Sequence, residues 1–441
     1  MNNPIFLMLL VALSCACSSK KEQQSVRLTS PGDQLKVVVG LDNDQRPFYQ
    51  AFYKEEPVVD TSYLGVILDK GDLTSGLKIV SVDTSSFDET WEQPWGEERW
   101  IRNNYRELTV GFQKDGGPGL NLVFRLYDQG VAFRYVFPES AGLESFTVLD
   151  EQSEFNLIAD HPTWSIPAYG GNRYEYIYQK KPVSDLDLVH TPFTVEATNG
   201  LYYHIHEAAL YDYPSMVLKR KDNHTLTADL VPLSKTDPSK AYLEAPFQTP
   251  WRTVQVGEKP GDLITNYMIL NLNEPNKLGD VSWVKPGKYM GVWWEMFIDL
   301  GTWHQGPKHA ANTKNVKKYI DFAGKHGFSG VLVEGWNHGW DGNWMNGGTR
   351  FDFTRPYPDY DIEELSRYAA EKGVYLIGHH ETGANTENYE QQLEPAYQYL
   401  QKYGMKAVKT GYVENGDTLP NGYYHHGQYF VKHFQSLFEN A

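Results

Sequence analysis

The chain has 441 residues, more than one compact hydrophobic core usually holds, so two or three domains are expected. Its formal net charge is −16, which argues against nucleic acid as a partner, because a nucleic-acid-binding face needs an excess of Lys and Arg. Aromatic residues make up 14% of the chain. Such an excess suits either the flat apolar faces of sugars or the core of a β-sandwich.

The N-terminus has the pattern of an export signal. An apolar run over residues 5–13 is too short to span a membrane and has the size of a signal-peptide core. Small residues then surround Cys15 and Cys17, which are the only cysteines, so no disulfide framework is expected in the folded body. Small residues around a cysteine before a polar stretch resemble a bacterial lipoprotein signal, with Cys17 as the better acylation site.

We therefore predict a lipoprotein-type signal peptide over residues 1–17 and a tether over residues 18–27. The expected location is the periplasm or outer membrane of a Gram-negative bacterium, with a lipid on Cys17 as the only membrane contact. An ordinary cleaved secretion signal is the alternative, since no Lys or Arg precedes the apolar run. Both interpretations export the protein.

Residues 28–275 are predicted to form a large antiparallel β-sandwich. The clearest signal is a hairpin, in which residues 121–127 and 131–137 alternate around the turn Asp128-Gln129-Gly130. The other predicted strands include residues 35–39, 108–112, 200–205, 225–230 and 267–272. Helical periodicity is nearly absent from this region.

One carboxylate in this region lies where a charge is costly. Strand alternation places His204 and His206 on one face, and Ile205 and Glu207 on the other, apolar face. Burying an unpaired carboxylate is unfavourable, so Glu207 needs a metal, another cation or a cluster of donors. A Glu that is satisfied within a domain interface is the alternative.

A polar connector over residues 276–287 leads to a repeated strand and helix pattern over residues 288–441. The predicted strands are 291–297, 328–333, 374–378 and 405–409, and the predicted helices are 312–323, 361–370, 388–403 and 426–440. Four such units are half of a (β/α)8 TIM barrel. The predicted fold class is thus multidomain β plus α/β, a sandwich followed by the first half of a barrel.

Polar side chains follow the predicted strands, at the end where such barrels place their chemistry. These are Glu295, Glu334, Trp336, His379, His380, Glu381 and Lys409. Carboxylates suit sugar hydrolysis, which uses one carboxyl as acid and a second as base or nucleophile. Two alternatives stay open, a structural Glu295 and a transition-metal site at His379-His380-Glu381. The second is weakened because adjacent strand residues point to opposite faces.

Jointly, several motifs resemble glycoside hydrolase family 97, from about residue 28 to the end. In the sandwich they are Tyr127-Asp128-Gln129-Gly130-Val131-Ala132-Phe133-Arg134-Tyr135, His206-Glu207-Ala208-Ala209-Leu210 and Pro250-Trp251-Arg252-Thr253. In the barrel they are Gly291-Val292-Trp293-Trp294-Glu295-Met296, Val333-Glu334-Gly335-Trp336-Asn337, His379-His380-Glu381-Thr382 and Val408-Lys409-Thr410-Gly411-Tyr412-Val413.

The resemblance implies an N-terminal β-super-sandwich, a (β/α)8 catalytic barrel and a small C-terminal β-domain. It also implies a calcium ion at the active site, held by oxygen ligands, and Glu207 matches the calcium-binding glutamate of the N-terminal domain. The strand-end residues are then substrate-binding residues for an α-linked gluco-oligosaccharide.

The resemblance also separates two mechanisms. Retaining members carry an aspartate nucleophile in a Lys-Val-Asp context, where this chain has Lys409-Thr410-Gly411. The chain therefore resembles the inverting α-glucosidase branch, which acts on starch-derived oligosaccharides such as maltose. The acid and base of that branch are expected beyond Ala441, so no catalytic residue is assigned and the chain alone is predicted to be inactive. The alternatives are an inactive carbohydrate-binding lipoprotein and a retaining α-galactosidase relative.

Overall fold

A computed structural model describes residues 25–139, 143–168, 174–346, 350–414, 416 and 418–441. The predicted signal peptide with Cys17, and most of the predicted tether, lie outside these residues. Among the helices of the described part, none is both long and apolar enough to cross a membrane.

The part of the chain up to Gly257 is built from β-strands in the described ranges. They are β1 (Ser25–Thr29), β2 (Leu35–Leu41), β3 (Pro47–Tyr53), β4 (Glu56–Tyr63), β5 (Val66–Leu68), β6 (Gly71–Asp72), β7 (Leu77–Glu92), β8 (Trp100–Lys114), β9 (Gly119–Tyr127), β10 (Gly130–Phe137), β11 (Ser145–Glu151), β12 (Glu154–Leu157), β13 (Pro162–Ser165), β14 (Gln179–Pro182), β15 (Leu188–His190), β16 (Phe193–Glu196), β17 (Tyr202–Ala208), β18 (Met216–Arg220), β19 (Thr225–Leu230), β20 (Ala241–Glu244), β21 (Phe247–Gln248) and β22 (Trp251–Gly257). A short 3-10 helix covers Val183–Asp185.

These strands pair into two large antiparallel sheets and a small one. The first large sheet has the order β1-β2-β3-β4-β12-β19-β18-β15, and the second has the order β14-β13-β16-β17-β22-β10-β9-β8-β7, with β21 beside β10. The small sheet has the order β20-β11-β5-β6. The predicted hairpin is confirmed, because β9 and β10 pair antiparallel around Asp128 and Gln129.

The two large sheets face each other across one hydrophobic core. Tyr49 of the first sheet contacts Phe124 and Phe133 of the second, with ring centroids 5.9 and 5.1 Å apart. Val37 and Leu218 from the first sheet and Val110 from the second belong to the same buried cluster. Apolar residues at alternate strand positions therefore form the sandwich core that the strand pattern predicts.

One predicted strand of this region is wrong. The structure has two short helices after β22, α1 (Pro260–Ile264) and α2 (Met268–Leu272), in place of the strand predicted over 267–272. Met268, Asn271 and Leu272 are the buried residues of α2, a spacing of three and four that fits a helix. Asn271 also accepts a hydrogen bond from the indole of Trp91, which ties α2 to the sheet.

The rest of the chain alternates strands and helices. The strands are β23 (Tyr289–Val292), β24 (Gly330–Val333), β25 (Tyr375–Glu381) and β26 (Val408–Gly411). The helices are α3 (Trp294–Phe297), α4 (Thr313–His326), α5 (Ile362–Glu371), α6 (Thr386–Glu390), α7 (Leu393–Lys402) and α8 (Gln428–Asn440), with a 3-10 helix at Trp344–Asn346. The strands form a parallel sheet in the order β23-β24-β25-β26, so their carboxyl ends share one edge.

Most predicted helix limits agree with the structure because their caps are visible in the sequence. The side chain of Asn312 accepts a hydrogen bond from the Asn315 N–H at the start of α4, and Gly327 ends that helix with φ 71°. Asp361 caps α5 through the Glu364 N–H. The helix predicted over 388–403 is instead split into α6 and α7, and Pro395 lies in the first turn of α7, where a proline is tolerated.

The first strand of the sheet is shorter than predicted, and this moves Glu295. The chain leaves β23 after Val292 and turns into α3, so residues 294–297 are helical. Glu295 accepts hydrogen bonds from Asn315 Nδ2 at 2.6 Å and from the Tyr319 hydroxyl at 3.0 Å, both on α4. The prediction of a strand-end Glu295 is therefore wrong, and these contacts favour the structural alternative.

The sandwich touches the α/β part of the chain, which begins at β23, through the start of α8. Gln428 is buried, and its amide bonds to the backbone of Asp212 and Tyr242 in the sandwich. Next to it, the Ser215 N–H donates to the His426 carbonyl at 2.9 Å. These contacts hold the Glu207 region of the sandwich against the α/β part.

Candidate active site

Glu334 is the carboxylate around which the strand-end residues gather. It follows β24 and is buried, with the Trp303 indole N–H donating to Oε2 at 3.1 Å. Oε1 lies 3.4 Å from both Lys409 Nζ and His379 Nε2. Burial raises the pKa of Glu334, while the bonds from Trp303 and Lys409 act in the opposite direction. The structure thus brings together Glu334, His379 and Lys409 as the sequence predicts, and adds Trp303.

The two adjacent histidines of β25 face opposite sides of the sheet. His379 points to Glu334, and its ring lies nearly parallel to Trp340, with centroids 6.0 Å apart. His380 bonds through Nδ1 to the Tyr389 hydroxyl at 2.8 Å and packs on Phe353, on the helix side. Burial lowers the pKa of both rings, that of His380 to about 3. Only His379 therefore lies beside the other strand-end groups, and His380 remains a predicted substrate-binding residue without support from this geometry.

Glu381, at the end of β25, is held in one position by the backbone. Its Oε1 accepts the N–H groups of Gly383 at 2.8 Å and Val413 at 3.0 Å. Its Oε2 occupies the space in which a side chain at Gly411 would begin, so any Cβ added to Gly411 would overlap that oxygen. Burial raises the pKa of Glu381 to about 7, and the nearby Glu334 charge adds to this. The carboxyl can therefore gain or lose a proton near neutral pH.

The tryptophans of this region do not have the arrangement expected. Trp336 is buried, its indole N–H donates to the His379 carbonyl at 2.8 Å, and its ring stacks on Tyr399. This placement favours packing over a sugar platform. Trp303 and Trp340 instead lie nearly parallel above Glu334 and His379, with centroids 6.3 Å apart and planes at 10°. No motif in the sequence singles out either ring, although Trp340 lies in the loop after β24, the strand that leads into Glu334.

Glu207 lies in a buried ionic network in the sandwich. The burial pattern of β17 confirms that Glu207 shares the inner face with Ile205. Oε2 of Glu207 accepts from Arg252 Nη1 at 2.7 Å, and Oε1 accepts from the Met216 N–H at 3.1 Å. Arg252 also binds Glu151 through Nε and Nη2, both at 2.8 Å. Burial raises the pKa of Glu207 to about 7 although Arg252 opposes it.

A cavity opens beside Glu207 between the sandwich and the α/β part. It has a volume of about 370 Å³. Its lining includes Tyr174, His206 and Glu207 from the sandwich, and His426, Phe430 and Phe434 from the α/β part. The sandwich therefore presents Glu207 to the interface between the two parts.

The described residues do not form a calcium site by themselves. Calcium takes about six to eight oxygen ligands. Within the described ranges, no group of three His, Cys, Asp or Glu side chains is close enough to hold a metal ion. Glu207 already has a guanidinium and a backbone N–H as partners. In this arrangement the carboxylate of Glu207 is compensated by Arg252 and not by a metal ion.

Two family models match the chain and together cover most of it. Residues 28–275 match the model "Glycosyl-hydrolase 97 N-terminal", and residues 293–441 match the model "Glycoside hydrolase 97". The chain belongs to glycoside hydrolase family 97. The resemblance in the sandwich and strand-end motifs is thereby confirmed, as is a mostly β, multidomain fold with helices.

Solved family 97 structures are similar to this member. A family 97 enzyme from Pseudoalteromonas sp. strain K8 in complex with acarbose is 43% identical, with a TM-score of 0.90. A variant of a family 97 enzyme from the same strain, in complex with panose, is 44% identical with the same TM-score. Each comparison covers 94% of this chain and 64% of the relative.

A curated relative is an alpha-galactosidase by name. The retaining alpha-galactosidase of Bacteroides thetaiotaomicron is 26% identical over 445 residues, which cover 93% of this chain and 63% of the relative. The chain thus spans slightly less than two thirds of the length of these relatives.

Proposed function

We propose that this family 97 chain belongs to an inverting, calcium-dependent α-glucosidase that acts on starch-derived oligosaccharides such as maltose and maltooligosaccharides. In this proposal the parallel sheet is the first half of a (β/α)8 barrel, and the β-rich part is the family's super-sandwich. The observation that carries the proposal is the position of Glu381 against Gly411. Support for glucosides comes from the 43–44% identical relatives, which bind acarbose and panose.

The geometry at Gly411 supports the inverting over the retaining mechanism. By the family resemblance, Gly411 corresponds to the Asp in the Lys-Val-Asp context of retaining members. A side chain there would overlap Glu381 Oε2, so an aspartate nucleophile and Glu381 in its present position exclude each other. Inverting enzymes need a base that activates water in place of a nucleophile. The absent nucleophile and the present carboxylate both favour inversion.

Glu381 is our candidate for a general base. A base works best when its pKa lies near the working pH, and burial raises the pKa of Glu381 to about 7. Two backbone N–H groups orient Oε1, while no hydrogen bond to Oε2 occurs in the described part of the chain. Oε2 is thus the oxygen that can accept a proton from water. No residue of this chain is proposed as the catalytic acid.

The other strand-end residues have binding roles in this proposal. Lys409 Nζ and the Trp303 indole donate to Glu334 and keep its charge compensated. Glu334 can then accept hydrogen bonds from sugar hydroxyls, and the half-exposed Lys409 can donate to them. Glu207 is proposed as one oxygen ligand of calcium in the whole protein. Export with a lipid on Cys17 also remains part of the proposal.

Calorimetry with two inhibitors tests the sugar specificity. The 441-residue chain is titrated with acarbose, an α-glucosidic ligand, and with 1-deoxygalactonojirimycin, the galactose-type ligand. We expect acarbose to bind at least about tenfold more tightly, a difference of about 1.4 kcal/mol. Equal or tighter binding of the galactose-type ligand would overturn the α-glucoside assignment.

A variant pair locates the binding site. Glu334→Gln should weaken acarbose binding by about tenfold or more, because it removes the charge that pairs with Lys409. Glu295→Gln is the matched control, since Glu295 bonds to α4 and should leave the affinity unchanged. Turnover of maltose by this chain, with or without calcium, would contradict the prediction that the chain alone is inactive.

A further inference from the structure

Behind the strand end that carries Glu381 lies a chain of three hydrogen-bonded side chains that the proposed chemistry does not use. His433, on α8, is buried and bonds through Nδ1 to Glu390 Oε1 at 2.6 Å. Its Nε2 lies 3.2 Å from the Tyr412 hydroxyl. Glu390 lies on α6, His433 lies on α8, and Tyr412 directly follows β26. They form a continuous link from the helix layer to the end of the fourth strand.

The direction of the hydrogen bonds follows from the chemistry of the groups. An ionised carboxylate only accepts, so His433 Nδ1 carries the hydrogen that binds Glu390. In the neutral ring, Nε2 is then an acceptor, and the Tyr412 hydroxyl donates to it. Tyr412 is thereby held in one rotamer, with its ring packed on Phe430 and Phe434 at 5.2 and 4.9 Å.

Tyr412 lies between the two residues that touch Glu381. The Val413 N–H donates to Glu381 Oε1, and Gly411 lies directly under Oε2. The Gly411 carbonyl in turn accepts from the N–H and the hydroxyl of Thr382, the residue after Glu381. The backbone from Gly411 to Val413 therefore lines one side of the Glu381 carboxylate. A side chain that restricts the position of Tyr412 also restricts the position of this backbone segment.

We propose that Glu390, His433 and Tyr412 form a positioning relay that holds the Gly411–Val413 backbone against the Glu381 carboxylate. These three are positioning residues, because none of them contacts the sugar in this proposal. The inference rests on the proposed role of Glu381. A packing role alone would need only the rings, whereas here both nitrogens of His433 have polar partners.

The test follows the titration of Glu381 without any sugar. Glutamate is labelled with 13C at the side-chain carboxyl carbon, and Glu381→Gln assigns its signal. In Tyr412→Phe, which keeps the ring, we expect the pKa of Glu381 to rise by about half a unit or more as the Val413 N–H loosens. His433→Phe should give a similar shift, and the double variant should not exceed the larger of the two, because both act through one link.

Tyr397→Phe is the matched control. Tyr397 also donates from its hydroxyl to α8, at the Leu437 carbonyl, and among the described residues no hydrogen bond or ring contact joins it to the Gly411–Val413 segment. We expect it to leave the Glu381 titration unchanged. An unchanged pKa of Glu381 in Tyr412→Phe, or an equal pKa shift in Tyr397→Phe, would overturn the proposed positioning role. Because no ligand is present, this failure is distinct from a failure of the α-glucosidase proposal, which the acarbose titration reports.

Discussion

Replacing Arg252 by Met should destabilise the sandwich strongly, because its guanidinium compensates two buried carboxylates. The side chains of Arg252 and Glu151 are fully buried, and that of Glu207 is 8% exposed. Three charge-assisted hydrogen bonds of 2.7–2.8 Å join them. Breaking a buried ion pair on one side costs about 3–5 kcal/mol. We expect a loss in that range in the free energy of unfolding at pH 8, measured by urea denaturation.

The loss of stability in Arg252→Met should shrink as the pH falls, because the folded variant then takes up protons. Arg252 holds the pKa of Glu151 below its usual value against the effect of burial. Without Arg252, the folded variant binds a proton at Glu151 that neither the folded wild type nor the unfolded chain binds above about pH 5. Its stability therefore rises relative to the wild type as the pH falls, by about 1 kcal/mol or more per pH unit.

Two further variants serve as controls for Arg252→Met. Arg125→Met removes a partly exposed ion pair with Glu107 and should cost about 1 kcal/mol with little pH trend. Combining Arg252→Met with Glu151→Gln and Glu207→Gln should recover at least half of the loss, since no uncompensated charge remains. A loss below about 1 kcal/mol at pH 8, or one that is constant between pH 8 and pH 5, would refute the reasoning.

Three other predictions follow from single contacts. Gly411→Ala should displace Glu381 and lower the free energy of unfolding, measured by urea denaturation, by about 1–3 kcal/mol. Gly291→Ala is the control, because its methyl group meets nothing within 4 Å. Equal losses of stability in the two variants would contradict the clash. Glu295→Gln should cost about 1 kcal/mol through its bonds to α4, and no change in stability would remove that role. Burial lowers the pKa of His190 and His425 to about 4 and of His426 to about 3. Their protonation favours the unfolded chain, so the free energy of unfolding should fall from pH 6.5 towards pH 4. The fall should be smaller in His190→Gln. Identical pH profiles of the wild type and His190→Gln would contradict this.

Local signals in the sequence located most elements because local chemistry determines them. The caps Asn312 and Asp361 predicted the starts of α4 and α5, and the turn at Asp128 and Gln129 predicted the β9–β10 hairpin. Strand alternation placed Glu207 on the inner face of β17. The same logic predicted that His379 and His380 face opposite sides. Each of these features depends on neighbours within a few residues.

The sequence by itself determined the family, the division into a β-rich part and an alternating strand and helix part, and the strand-end positions of Glu334, His379, Glu381 and Lys409. Only the tertiary structure decided which cation meets Glu207, because Arg252 is distant in the chain and adjacent in the sheet. It also turned Glu295 toward α4 and buried Trp336. Most of all, it showed that Glu381 fills the space above Gly411, a contact between two strands that no spacing within either strand can predict.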